Sequence, residues 1–192
     1  MDAVDIIHGE HRRIAAVLHC LEHLAQGTKE RSPRDEIPVF DAILEYLQAF
    51  PERFHHPKEE QYLFATLWGR CPELQEAISR LRSEHDGGEH RLLALSRALE
   101  GLRRNADDGE AAFRQAVVEY VAFEREHMRL EEQDILPRVR EVLSSYELKR
   151  MDDAFIGNSD PLFGDAPQAR YRELYNRILA VAPEPYGFAR AC

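Results

Sequence analysis

The chain has 192 residues, 44% of them hydrophobic and 31% charged, with a formal net charge of −10. The apolar content is enough for a folded core without staples, while the acidic balance disfavours phosphate backbones and anionic surfaces, so neither nucleic acid nor membrane is expected as a partner. The start "MDAVDIIHGEHRR" lacks the basic segment and apolar run of a signal peptide, and no apolar run approaches spanning length, so a cytoplasmic protein is expected.

Cys20, Cys71 and Cys192 are widely spread with no CxxC pair, which reads as free thiols rather than a disulfide or zinc framework. The first amphipathic segment runs from about 2 to 26, with Ile7, Ile14, Leu18, Leu21 and Ala25 on one face, and ends at Gly27. After the polar loop "GTKERSPRDE" a second segment covers about 36 to 68 with Leu44, Leu47, Leu63 and Leu67 on a stripe. Pro51 and Pro57 lie inside it and predict a kink or restart.

The third segment, about 74 to 104, carries Leu92, Leu95, Leu99 and Leu102, with Gly87 and Gly88 weakening it. The fourth, about 110 to 143, turns Val117, Tyr120, Phe123, Leu130 and Ile135 inward. Four long helices with short polar loops predict an all-α fold, an up-down-up-down four-helix bundle over residues 1–150. Residues 151–192 form a turn-rich C-terminal extension with one short amphipathic helix in "QARYRELYNRILAVAP". That helix is expected to pack on its own bundle in preference to a second subunit, although a homodimer through it is an alternative.

Nine histidines stand out, and helical phase sorts them. A helix advances about 100° per residue, so positions four apart share a face. His55 and Glu59 interrupt the apolar stripe of the second helix, and His127 and Glu131 interrupt that of the fourth. By the same phase His56 and Glu60 turn away, and His8, His19 and His23 fall toward the polar side. "HHPKEEQYLF" at 55 and "HMRLEEQDIL" at 127 repeat one pattern, H-x3-E-E-Q. His11 is the inward candidate on the first helix; the third begins "SEHDGGEH", offering His85, Glu89 and His90.

One histidine on an apolar face is usually a satisfied core residue, but two buried carboxylates need a compensating charge. Paired His/Glu positions on two helices and a histidine on each of the others point to a cation, and nitrogen ligands with carboxylates able to span two ions suit iron or manganese better than structural zinc.

With these residues the chain resembles the hemerythrin-like proteins, the HHE cation-binding domains, over about residues 1–143, on "FHHPKEEQYLF" and "EHMRLEEQDILP". The resemblance implies a non-haem centre of two iron ions, oxo- or hydroxo-bridged, with His11, His55, His85 and His127 as terminal ligands and Glu59 and Glu131 bridging. The third helix departs from the pattern of oxygen carriers, which have two histidines four apart there. Here Glu89 stands at +4 from His85 and His90 at +5, so either one of them completes the site or a coordination position opens.

The expected function is binding of a small molecule such as O2, NO or peroxide for sensing, storage or stress response. Two alternatives stand beside it. A ferritin-like di-iron oxidase or ferroxidase would draw on the E-x-x-H motifs Glu52 to His55 and Glu124 to His127, and iron donation for repair of iron–sulfur centres is the other.

Overall fold

The computed structural model describes residues 2–27, 32–156, 160–164, 167–182 and 186; residues 28–31 of the first loop and Cys192 lie outside them. The described residues are helical, with no strand among them. We number six helices: α1, Ala3–Gln26; α2, 37–68; α3, comprising Gln75–Asp86 and Gly88–Arg103; α4, 109–142; α5, Ser145–Ile156; and α6, Arg172–Val181.

Local chemistry sets the ends. Asp2 caps α1 by accepting from the Asp5 N–H at 3.0 Å while the Asp5 carboxylate reaches back to the Asp2 N–H, a reciprocal capping box. Gly27 ends the helix at φ 67°, a conformation glycine adopts without steric cost. α4 begins after Asp108, at φ 59°, with Gly109 tight against the end of α3: a Cβ there would stand 2.8 Å from the Gly101 carbonyl oxygen.

The prolines of α2 do not break the helix; it widens instead. Pro51–His55 and Glu59–Phe64 are π-helical turns flanking the short α-helical stretch His56–Lys58. The His55 N–H donates to Phe50 O at 3.2 Å, the five-residue closure of a π turn. α4 carries a third such turn at Glu131–Ile135. The sequence repeat therefore has a backbone counterpart, since Glu59 and Glu131 each open a π turn.

Two buried apolar clusters fill the interior, one around Ile14, Leu18, Phe40, Tyr46, Phe50, Leu95 and Phe113, the other around Ile7, Leu63, Phe64, Leu81, Leu130 and Ile135. α1 runs from the second cluster to the first, α2 returns, α3 repeats the direction of α1 and α4 that of α2. On each helix a buried polar position separates the two: His11, His55 with Glu59, His85, and His127 with Glu131.

The C-terminal segments pack on these same helices. Tyr171, Leu174 and Ile178 enter the first cluster, while Met151 and Phe155 enter the second. Arg177 pairs with buried Glu36 at 3.0 Å, Tyr46 donates to buried Asp160 at 3.2 Å, and Lys58 donates to Ala154 O at 2.7 Å. Burial of both apolar and ionic groups makes the described part of the extension integral to the fold.

Candidate metal centre

The polar layer gathers two sets of side chains whose ligand atoms lie within 4.8 Å of one another: His11, His55, Glu59 and Glu131 in one, and His56, Glu59, His85 and His127 in the other. Glu59 belongs to both. Its Oε1 stands 3.3 Å from His55 Nε2 and 3.6 Å from His11 Nε2, while its Oε2 stands 3.7 Å from His85 Nε2. Glu131 mirrors it, with Oε2 3.3 Å from His11 Nε2 and Oε1 3.5 Å from His127 Nε2. Each carboxylate thus turns one oxygen toward each set.

The imidazoles face one another with their Nε2 atoms inward. His11 and His55 approach to 3.1 Å, as do His85 and His127. Behind four of them stands a carboxylate on Nδ1: Glu132 for His11 at 3.0 Å, Glu10 for His55 at 2.8 Å, Glu60 for His85 at 3.1 Å and Glu84 for His127 at 2.9 Å. A proton on Nδ1 donated outward leaves Nε2 as a lone pair, the tautomer that a metal takes, and the carboxylate raises its basicity.

The electrostatics of the layer are compatible with a bound cation. All four carboxylate oxygens of Glu59 and Glu131 are buried and accept no well-directed hydrogen bond, a state costing several kcal/mol if left uncompensated. Burial, reinforced by the charge of Glu131, pushes the Glu59 carboxyl above its ordinary range. Burial opposes ionisation of Glu131 too, but His127 and His11 outweigh it and hold that group low. His127 resists burial through Glu131 and Glu84 and rises to about 9, whereas burial and neighbouring rings hold His55 and His85 well below their usual value. Burial and mutual charge thus push the groups of one layer in opposite directions, as they do where titratable groups are gathered at a site. The donor set, imidazole nitrogen plus carboxylate oxygen without thiolate, is compatible with a metal site.

Three expectations change. His56, expected on the polar side, is buried at 8% exposure, with its ring stacked on His85 at a centroid distance of 4.3 Å. The π turn before it explains the difference: bonds that span five residues turn the chain less per residue than an α-helix, so His55 and His56 both reach the interior. Glu89 and His90 go the other way. Both are exposed and stand outside the two sets, because α3 is divided at Gly87 and His85 already occupies the inward position of the preceding segment.

Gly88 has a separate purpose: a Cβ there would fall 2.6 and 2.7 Å from the two carboxylate oxygens of Glu52, so the glycine admits that side chain. Glu52 and Glu124, the carboxylates of the E-x-x-H motifs, also lie outside both sets. His8, half-buried, approaches Glu132 at 3.4 Å. Sequence phase had no means of finding Glu10 and Glu84, whose partners lie on other helices; Glu60 and Glu132 were legible only as second members of the E-E pairs.

Comparison with known proteins agrees with the geometry. The model of the hemerythrin HHE cation-binding domain matches residues 2–139. Uncharacterised proteins of Mycobacterium bovis and Mycobacterium tuberculosis are 26% identical over 164 residues, which cover 83% of this chain and 60% of theirs. No solved structure matches. Among the described residues no helix is long and apolar enough to cross a membrane.

Proposed function

Because the chain belongs to the hemerythrin HHE cation-binding family, we propose that its polar layer holds two iron ions and binds O2 or a related small molecule such as NO or peroxide. On this reading His11 and His55 serve one metal, His56, His85 and His127 the other, and Glu59 and Glu131 span both. The observation that carries it is the pair of buried carboxylates, each directing one oxygen to each histidine set and lacking hydrogen bonds of its own. The architecture that goes with it is an up-down-up-down bundle over residues 1–150, supported by the alternating course of α1 to α4 between the two apolar clusters.

When bound, the irons supply electrons and coordination positions for a small ligand. The chain's own residues do the rest. Glu132, Glu10, Glu60 and Glu84 fix the ring orientations and tautomers of four histidines, and Leu63, Phe64, Leu130 and Ile135 close the layer against water on one side. The ferritin-like alternative gains nothing from Glu52 and Glu124. Both stand outside the two sets: Glu52 is 3.8 Å from His56 Nδ1, and Glu124 pairs with Tyr120.

The test is protein purified without oxygen and analysed for metal identity and stoichiometry, then exposed to air. Two irons per chain with visible bands that appear on oxygenation and vanish on deoxygenation support the reading. A single zinc, or fewer than one metal per chain after anaerobic loading with Fe(II), overturns it.

A further inference from the structure

Four of the five inward histidines are held from behind by a carboxylate at 2.8 to 3.1 Å. The fifth is not. The buried His56 Nδ1 has no hydrogen-bond partner among the described residues, and the carboxylate oxygen facing it, Glu52 Oε1, stands at 3.8 Å, beyond hydrogen-bond range. Glu52 is instead seated in the space left by Gly88, where a Cβ would meet both its oxygens.

The backbone under His56 is also unlike that under the histidines of the other three helices. His56–Lys58 is a three-residue helical stretch between two π turns, and the next residue, Pro57, offers no N–H to the ladder. His11, His85 and His127 sit within regular α-helix. An outer carboxylate is worth 10–100-fold in metal affinity at a ligating histidine, so a ring lacking one is the weakest ligand of its set.

We infer, resting on the two-metal reading, that His56 is a detachable ligand, and that the position it fills beside His85 and His127 is where a small exogenous anion or diatomic molecule gains access to that metal. Glu52 is the positioning residue. Moved toward Nδ1 it would tighten the ring on the metal; seated over Gly88 it leaves the ring free to be displaced. The ligand class is set by the surroundings: His85, His127 and His55 rings crowd His56 at 4.3 to 5.5 Å, leaving room for a ligand no bulkier than the imidazole it replaces.

The experiment uses the full chain loaded with Co(II), whose visible absorption reports coordination number, and titrates azide as the probe. His56→Ala, with His56→Gln as a second variant should the smaller residue disturb folding, is expected to keep both metals and to bind azide roughly tenfold more tightly, since no ring competes for the position. Glu52→Ala is expected to keep both metals and to leave azide affinity within about twofold of wild type, since Glu52 as seated does not hold the ring. His85→Ala, as control, is expected to lose one metal. If the His56 variants fall to one metal as His85→Ala does, if azide affinity is unchanged in them, or if Glu52→Ala tightens azide as much as they do, the inference is overturned while the two-metal reading stands. A wild-type protein that takes up fewer than two metals overturns both.

Discussion

Glu59 and Glu131 enter one buried layer from two helices, and each presents its two oxygens to opposite histidine sets without a hydrogen bond to satisfy either. In a metal-free protein this arrangement is a stored cost, because both groups are desolvated and one raises the ionisation cost of the other. Glu59→Gln should therefore stabilise the metal-free chain by about 1–3 kcal/mol, whereas Glu131→Gln, which removes the counter-charge of His127 and His11, should destabilise it; both should abolish most metal uptake. Thermal unfolding in the presence of a chelator, with metal analysis of the same samples, checks both halves. A variant that binds iron normally would remove Glu59 or Glu131 from the centre.

The outer carboxylates should act on affinity and not on folding. Glu84 is held by Arg80 as well as His127, and Glu132 by His8 as well as His11. Glu84→Ala or Glu132→Ala is expected to weaken metal binding by roughly 10–100-fold, read by competition with a chromophoric chelator, with helix content by circular dichroism unchanged. An effect below twofold would show that the ring orientation is set by packing alone.

Metal removal should reverse the pH dependence of stability. In the metal-free protein His127 titrates at about 9, above the roughly 6.5 of an unfolded histidine. A folded-state value above the unfolded one means the protonated ring stabilises the fold. That contribution is complete below pH ~6.5 and is lost as pH rises toward 9. The metal takes the neutral ring, so loading is favoured over the same interval. Tm of chelator-treated protein should fall from pH 6.5 to 9, whereas that of metal-loaded protein should hold or rise.

Two glycines at the α3–α4 contact separate propensity from packing. Gly101 lies inside a helix with open space where a Cβ would stand, so Gly101→Ala should stabilise by roughly 0.5–1 kcal/mol. At Gly109 the same added carbon meets the Gly101 carbonyl oxygen at 2.8 Å, a backbone atom that cannot move aside without shifting a helix. Gly109→Ala should destabilise by about 1–3 kcal/mol. Urea unfolding of both variants tests the pair, and equal effects would contradict the close approach.

The extension should prove inseparable from the bundle. Leu174 and Ile178 are fully buried in the first apolar cluster, so Leu174→Ala or Ile178→Ala is expected to cost roughly 2–5 kcal/mol. Coincident loss of far-ultraviolet and near-ultraviolet circular dichroism on heating would show one cooperative unit. A separate early transition confined to α6 would instead show an independent appendage.

Much of the candidate site was legible before any tertiary contact was known. Apolar residues at spacings of three and four dictated long helices, and the same phase placed His11, His55, Glu59, His127 and Glu131 inward, because side-chain direction on a regular helix follows from position alone. Where the backbone leaves that regularity the reading failed. His56 reaches the interior through a π turn that periodicity of 3.6 does not describe, and Glu89 and His90 turn outward because α3 is divided at Gly87.

The amino-acid sequence by itself determined the all-helical architecture, the repeated H-x3-E-E-Q element and the inward pairing of carboxylates with histidines, since those rest on local periodicity and on the cost of burying charge. Only the tertiary structure decided which glutamates stand behind which histidines, that Gly88 makes room for Glu52, and that His56, of the five inward histidines, lacks a carboxylate on its Nδ1. Those are relationships between helices far apart in sequence, fixed by how the helices pack and not by the order of residues along any one of them.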